Sequence, residues 1–402
     1  MSAAASTFIP PKGVRSPPAK ERRMMLEART SARPEAALRR RAPDFLFLFL
    51  TVAHSVFGLI MVGSASLPLA AAEWGDPFYF VRRQALWLAV ALFTLFLAEN
   101  IRPAQLRKLT LPLLFLAWAG LFTVYLPHLG VELNGSRTWI RLGSLSVQPG
   151  ELAKPALVLY LAHLLSKKGS QVRTWSRGFL PPFVVVGAFA LPLIVQKDLG
   201  TALILVGTAF LVLFAGGARI RHLLAVAALS LPPLVLAIVL FPYRLKRITG
   251  FLDPWQDPGR SGYHLIQSLY AIAHGGLAGV GLGESVQKFF YLPFPYNDFI
   301  FAVLAEELGF LGSGVFLLAY ATWIGRGFVL SLRHPDPFAK LLGVGAMSAI
   351  AVQALMNLGG VTGLLPITGV TLPLISYGGS SLVVTHLLIG WVLALSRELP
   401  RR

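Results

Sequence analysis

No cysteine occurs in the 402 residues, so disulfides, thiolate metal sites and cysteine nucleophiles are all excluded. That absence carries no message about compartment. Charge is the second scarcity: Asp, Glu, Lys and Arg make up 13% of the chain, where soluble domains average about 25%. Acidic residues are scarcest, 18 against 36 basic ones, for a formal net charge of +18. No G-x-x-x-x-G-K-[ST] phosphate loop occurs, which removes a nucleotide-driven machine. There is no H-E-x-x-H, and the eight histidines are scattered without metal-ligand spacing, so no metal-ligand set is expected. A repeat of solenoid period and a soluble second domain are also missing.

What fills the chain is apolar. Hydrophobic residues reach 55%, 27 residues are Phe, and the mean hydropathy is +0.65. A basic excess taken alone suits nucleic acid. Combined with long apolar runs it points to a bilayer instead, and no nucleic-acid partner is expected. Residues 1–43 form a separate basic zone, with ten Lys or Arg against Glu21, Glu27 and Glu35 and no sustained apolar period, which reads as a disordered tail. The first apolar run begins at Phe45, too late and too long for a signal peptide.

From there to residue 402 the chain reads as one membrane domain. Apolar segments of about bilayer-spanning length follow at 45–65, 78–98, 108–127, 150–166, 179–196, 198–217, 221–241, 299–324, 341–363 and 379–396. The expected fold is an all-α polytopic membrane protein with ten transmembrane helices. The positive-inside rule orients it. With both termini cytoplasmic, 25 of the 36 Lys and Arg fall in inside loops or tails, ten fall outside, and Lys154 lies within a span. Both termini are expected on the cytoplasmic side, with a long extracytoplasmic loop at 242–298 and shorter outside segments at 128–149 and 363–381. Loops as long as 242–298 are usually functional. It contains a helix-like piece, LIQSLYAIAHGG, and a glycine-rich run, GLAGVGLG, that reads as a flexible turn.

Ionisable groups at membrane depth cost roughly 2.5–3.5 kcal/mol each and need a reason to be there. Glu151 and Lys154 lie three apart on one helix face and can pair, either as a structural ion pair or beside a substrate. Glu306 and Glu307 are adjacent and cannot both face one site, so at least one is structural. Asp298 closes the long loop, immediately before FIFAVLA. Two readings are open for it: a helix N-cap, or a general base at the lipid–water boundary. Arg137, Arg141, Arg244, Lys246 and Arg247 run against the inside bias. They are either ordinary loop charge facing anionic lipid or guanidinium forks for a phosphate or pyrophosphate head.

Five segments, taken together and in this order, resemble the SEDS family of shape, elongation, division and sporulation proteins. They are NGSRTWIRLGSLSVQPGELAK (134–154), KDLGTAL (197–203), DPWQDPGRSGYHLIQS (253–268), NDFIFAVLAEELGFLG (297–312) and GLLPITGVTLPLISYGGSSL (363–382). The likeness runs from about residue 45 to the C-terminus. Within the family, GVTLPLISYGGSS, GLGESVQKFFYLP and the basic tail read more like the FtsW-like division and sporulation branch than the RodA-like elongation branch.

The resemblance implies a ten-helix SEDS fold and a peptidoglycan glycosyltransferase that polymerises lipid II, by inverting transfer, at the outer face of the bacterial cytoplasmic membrane. It places the family's essential aspartate at Asp298. Substrate contacts fall on Arg137, Arg141, Glu151, Lys154, Asp198, Arg244 and Arg247. Cations beside Asp298 would keep it ionised. The resemblance also implies a class B penicillin-binding protein and other division proteins as partners, with no cofactor beyond a divalent cation, Mg2+ or Mn2+. The pattern departs from the family at one place: Tyr296 and Asn297 stand where the family usually has His-Thr. The competing activity is a lipid II flippase, which would use buried ion pairs equally well.

Overall fold

A computed structural model describes residues 42–399 apart from Asn134, Ser144 and 240–241. The basic tail therefore lies outside the described residues. Each of the ten expected segments is a helix. We number the helices α1 (Phe45–Trp74), α2 (Tyr79–Glu99), α3 (Pro103–Gly120), α4 (Pro149–Lys168), α5 (Leu180–Val195), α6 (Leu199–Ala215) and α7 (Ile220–Val239). After the long loop, which contributes α8 (Pro242–Leu252) and α9 (Tyr263–His274), come α10 (Ile300–Leu332), α11 (Pro337–Val361) and α12 (Gly379–Ser396). Among the described residues seven helices are long and apolar enough to cross a membrane by length and composition. Of the other segments, α6 is shorter, at 17 residues, and α4 is more polar.

The apolar belt sorts the helices into layers. In α11 and α12, 72% and 78% of the most apolar 18-residue stretch is buried, against 28% and 22% for α2 and α3. The latter two turn Phe93, Phe96, Leu111, Phe115 and Leu116 outward, which a bilayer tolerates and water does not. The segment with the weakest hydropathy, α4, packs at the centre against α11, α6 and α3. Its charges stand where protein, not lipid, surrounds them.

Ion pairs mark one end of the bundle. Arg326 pairs with Asp44, which also caps α1 by accepting from the Phe47 amide. Arg107 meets Asp336 and Arg397 meets Glu99 at that same end. The opposite end carries the long loop and an element the all-α expectation lacked. There Gly130–Leu133, Ser136–Leu142 and Leu145–Val147 form a three-stranded antiparallel sheet, β1-β2-β3. Val131 pairs with Trp139, and Ile140 with Val147. Trp139 and Ile140 supply the aromatic and β-branched bulk that favours strands.

The helix α10 is broken at Gly309, whose φ of 66° and ψ of −170° leave the helical region. The glycine-rich run fills the break. Val280 and Gly281 donate to the carbonyls of Glu306 and Glu307, while Phe310 and Leu311 donate back to Gly276 and Leu277. Only glycine permits so close an approach, because a Cβ on Gly309 would lie 2.2 Å from the Gly279 nitrogen. GLAGVGLG is thus a fixed wedge, not the flexible turn its composition suggested.

Candidate active site

Asp298 lies where α10 begins, at the loop-rich end, but it does not cap the helix. The N-cap is Phe299, and no side-chain cap bond forms there. The Asp298 Oδ1 atom is buried without a hydrogen-bond partner. The N-cap reading is therefore set aside. Burial pushes the Asp298 carboxyl up to about 6, against an opposing pull from the positive charge of Arg247. Burial thus outweighs the pull of Arg247, and at about 6 the carboxyl is still largely ionised at neutral pH.

Asp298 opens onto a narrow depression of about 10 Å3, lined also by Phe299, Asn357, Thr368, Gly369 and Val370. Its far wall is the 362–378 turn between α11 and α12, which polar side chains from three helices pin in place. Asn357 holds the Val370 carbonyl at 2.7 Å, Tyr320 the Pro373 carbonyl at 2.9 Å, and Gln84 the Ser376 carbonyl at 3.2 Å. Tyr377 donates its amide to the Tyr296 carbonyl. The Tyr296 ring stacks on Phe80 with centroids 4.4 Å apart. Tyr296 is thus a packing residue that fastens the loop before Asp298 to α2 and the turn, and burial holds its hydroxyl up at about 12. Its neighbour Asn297 leaves Oδ1 buried and unpartnered beside Asp298.

The other expected site residues divide into two groups. Glu151 and Lys154 form a buried pair at 2.7 and 2.8 Å, and the Lys154 ammonium also donates to Gln353 Oε1 at 2.6 Å. Gln353 Nε2 in turn reaches the carbonyl and hydroxyl of Thr371 and the hydroxyl of Ser381. Asp198 caps α6 by accepting from the Thr201 amide, and it accepts from Gln148 at 3.0 Å. These three charged residues serve the structure under the turn. Arg137, Arg141 and Arg247 lie on the surface at the loop-rich end. Arg137 pairs with Glu132 across β1 and β2 at 3.3 Å, both side chains half exposed. Arg141 is exposed further along β2. Arg247 is exposed on α8, and Arg244 sits one turn earlier on the same helix.

Glu306 and Glu307 are both structural. Glu306 accepts from Ser285 and from the Val286 amide, and pairs with His274 at 2.8 Å. Glu307 pairs with Lys288 at 3.0 Å. Together they tie the end of the long loop to α10. Four contributors went unnoticed in the sequence: Gln84, Gln148, Gln353 and Asn357. The last two fall four residues apart in an otherwise apolar helix, which puts them on one face. That spacing was the available signal.

A polytopic helical membrane protein with an unpartnered carboxylate oxygen beside a pinned turn is the class these observations define. The chain belongs to the FtsW/RodA/SpoVE family of cell cycle proteins, whose profile matches residues 45–400. It is 42% identical over 359 residues to the stage V sporulation protein E of Bacillus subtilis (strain 168), covering 89% of this chain and 98% of that one. It is 40% identical over 356 residues to the probable peptidoglycan glycosyltransferase FtsW of Geobacter metallireducens, covering 89% and 95%. Among solved structures it resembles one described as the structural coordination of polymerization and crosslinking by a peptidoglycan synthase complex. There the TM-score is 0.74 at 34% identity, over 89% of this chain and 98% of that one. The rod shape determining protein RodA of Thermus thermophilus matches with a TM-score of 0.66 at 30% identity, over 89% and 97%.

Proposed function

We propose that this chain is a peptidoglycan glycosyltransferase that polymerises lipid II at the outer face of the cytoplasmic membrane, with both termini inside, and serves septal wall synthesis. Curated relatives bearing the FtsW and sporulation names support the activity and the division branch. The single observation that carries the chemistry is Asp298: a half-buried carboxylate whose Oδ1 has no partner, at the end of the bundle where the long loop gathers.

In the reaction, the 4-hydroxyl oxygen of one lipid-linked disaccharide bonds to the anomeric carbon of the growing chain. Its proton passes to Asp298, and the bond from that carbon to undecaprenyl pyrophosphate breaks. A pKa near 6 suits a general base working around neutral pH. Arg247 and Arg244 on α8, with Arg137 and Arg141 on the sheet, supply positive charge for the departing pyrophosphate. Among the described residues no three His, Cys, Asp or Glu gather as a cation site. The described residues therefore offer no protein cage for Mg2+ or Mn2+.

The flippase reading is weaker on this geometry. Its ion pair would have to move or release, whereas Lys154 is held by Glu151 and Gln353 together. The solved peptidoglycan synthase complex supports a class B penicillin-binding protein as partner. The test is strand synthesis from lipid II by the purified chain with that partner in detergent, where no second leaflet exists. Asp298→Asn is expected to abolish synthesis while the protein remains folded. Normal synthesis by that variant would overturn the assignment.

A further inference from the structure

Asn357 lies one turn before the end of α11, and its amide geometry is fully determined. Nδ2 carries two N–H groups, and both are used: one donates to the Asp298 carbonyl at 2.8 Å, the other to the Val370 carbonyl at 2.7 Å. Flipping the amide would set its oxygen against two carbonyl oxygens, so the orientation follows from the network. Oδ1 is thereby turned away from both carbonyls. It is buried and has no hydrogen-bond partner.

The same holds for Asp298 Oδ1 and for Thr368 Oγ1. All three residues line the one depression described above. An unpartnered buried acceptor costs about 1–3 kcal/mol. Two of them here, one charged and one neutral, are poor value for folding and well placed for a ligand that brings its own donors. Among the described residues no protein donor reaches either oxygen.

We propose that Asn357 is a substrate-binding residue for the acceptor: its Oδ1 accepts a hydrogen bond from the sugar hydroxyl adjacent to the one that Asp298 deprotonates. This rests on the reading of Asp298 as the base. A charged and a neutral acceptor lining one depression match two neighbouring ring hydroxyls. In the lipid-linked disaccharide the N-acetylglucosamine end offers a free 3-hydroxyl beside the attacking 4-hydroxyl. The N-acetylmuramic acid unit carries a lactyl ether at its 3-oxygen and has no donor there. Within the disaccharide the muramic 4-oxygen is already bonded to the glucosamine, so Asn357 discriminates between lipids by their terminal sugar, because a site built to receive a hydroxyl rejects a terminal sugar that lacks it. Its two N–H bonds add a second effect, since they hold the Asp298 backbone and the covering turn in register.

The experiment is a single coupling by the purified chain with its crosslinking partner in detergent. It uses a natural lipid-linked donor and an acceptor lipid II that is natural, 3-deoxy or 6-deoxy in its terminal glucosamine. The wild type is expected to lose roughly tenfold in kcat/KM with the 3-deoxy acceptor, the value of one hydrogen bond of about 1.4 kcal/mol, and little with the 6-deoxy control. Asn357→Ala is expected to be slow with the natural acceptor and to show no further loss with the 3-deoxy one. A 3-deoxy penalty that persists unchanged in Asn357→Ala overturns the proposal. If Asn357→Ala does not fold, the wild-type arm still decides: equal use of natural and 3-deoxy acceptors overturns it. Asp298→Asn run alongside separates the two failures. Synthesis by that variant sinks the base assignment, whereas an inactive Asp298→Asn together with a 3-deoxy penalty equal in the wild type and Asn357→Ala sinks only the role of Asn357.

Discussion

Lys288 reaches Glu307 at 3.0 Å with both side chains almost wholly buried, and so joins the last part of the long loop to the helix that Asp298 precedes. Ser64 of α1 donates to the same carboxylate oxygen and accepts from the same ammonium. Three separate stretches of chain therefore meet at one charge pair. Removing either partner leaves an uncompensated buried charge, which costs about 3–5 kcal/mol. Lys288→Ala should lower the thermal midpoint of the detergent-solubilised protein by several degrees. The double variant Lys288→Met/Glu307→Leu should regain most of that loss. A double variant less stable than Lys288→Ala would show that the pair itself stabilises the fold.

The glycine wedge predicts a sharper effect. Gly309 holds a positive φ, and a Cβ there would lie 2.2 Å from the Gly279 nitrogen. Backbone cannot step aside as a flexible side chain can. Gly309→Ala should destabilise by more than the roughly 1 kcal/mol of ordinary glycine substitutions, and strand synthesis should fall because α10 carries Asp298 at its start. Gly314→Ala, in the same helix with open space around it, is the control and should be close to neutral. The two variants are compared by thermal unfolding and by the polymerisation rate.

How much of this the sequence disclosed depends on what kind of residue carried the information. Asp298, Glu151 and Lys154 were legible because a charge inside an apolar run stands out against its cost. The ten helical segments were legible for the same reason of contrast. The sheet at 130–147 was not, although SRTWIRL is rich in strand-forming side chains, because its strands are short and glycine-flanked. The break in α10 was invisible: Gly309 is one of many glycines in apolar helices, and only the facing Gly279 gives it meaning. Asn357 and Gln353 were missed because neutral amides cost less than charges at membrane depth. Their importance comes from the carbonyls and the Lys154 ammonium that the fold brings to them.

The buried pair under the turn makes a related prediction. Lys154 satisfies Glu151 and at the same time orients Gln353, whose other end holds Thr371. Lys154→Met should destabilise strongly, since Glu151 loses its counter-charge. Gln353→Leu keeps the ion pair but releases Thr371, so it should lower the polymerisation rate more than it lowers the thermal midpoint. Equal proportional losses in both quantities would mean that Gln353 acts through stability alone.

The last prediction concerns pH and has a definite sign. Burial sets the Asp298 carboxyl at about 6, and the positive charge of Arg247 opposes that rise. A general base works in its ionised form, so kcat/KM for polymerisation should fall as pH drops through 6, approaching tenfold per unit below it. Arg247→Ala removes the charge that favours ionisation, so the acid limb should move to higher pH. Arg247→Lys preserves the charge and should leave the limb near its wild-type position, even where it weakens pyrophosphate binding and raises KM. The measurement is a pH–rate profile of the three proteins with their partner at saturating and limiting lipid II. An acid limb that moves down in Arg247→Ala, or that vanishes in the wild type, would detach Asp298 from the proton transfer.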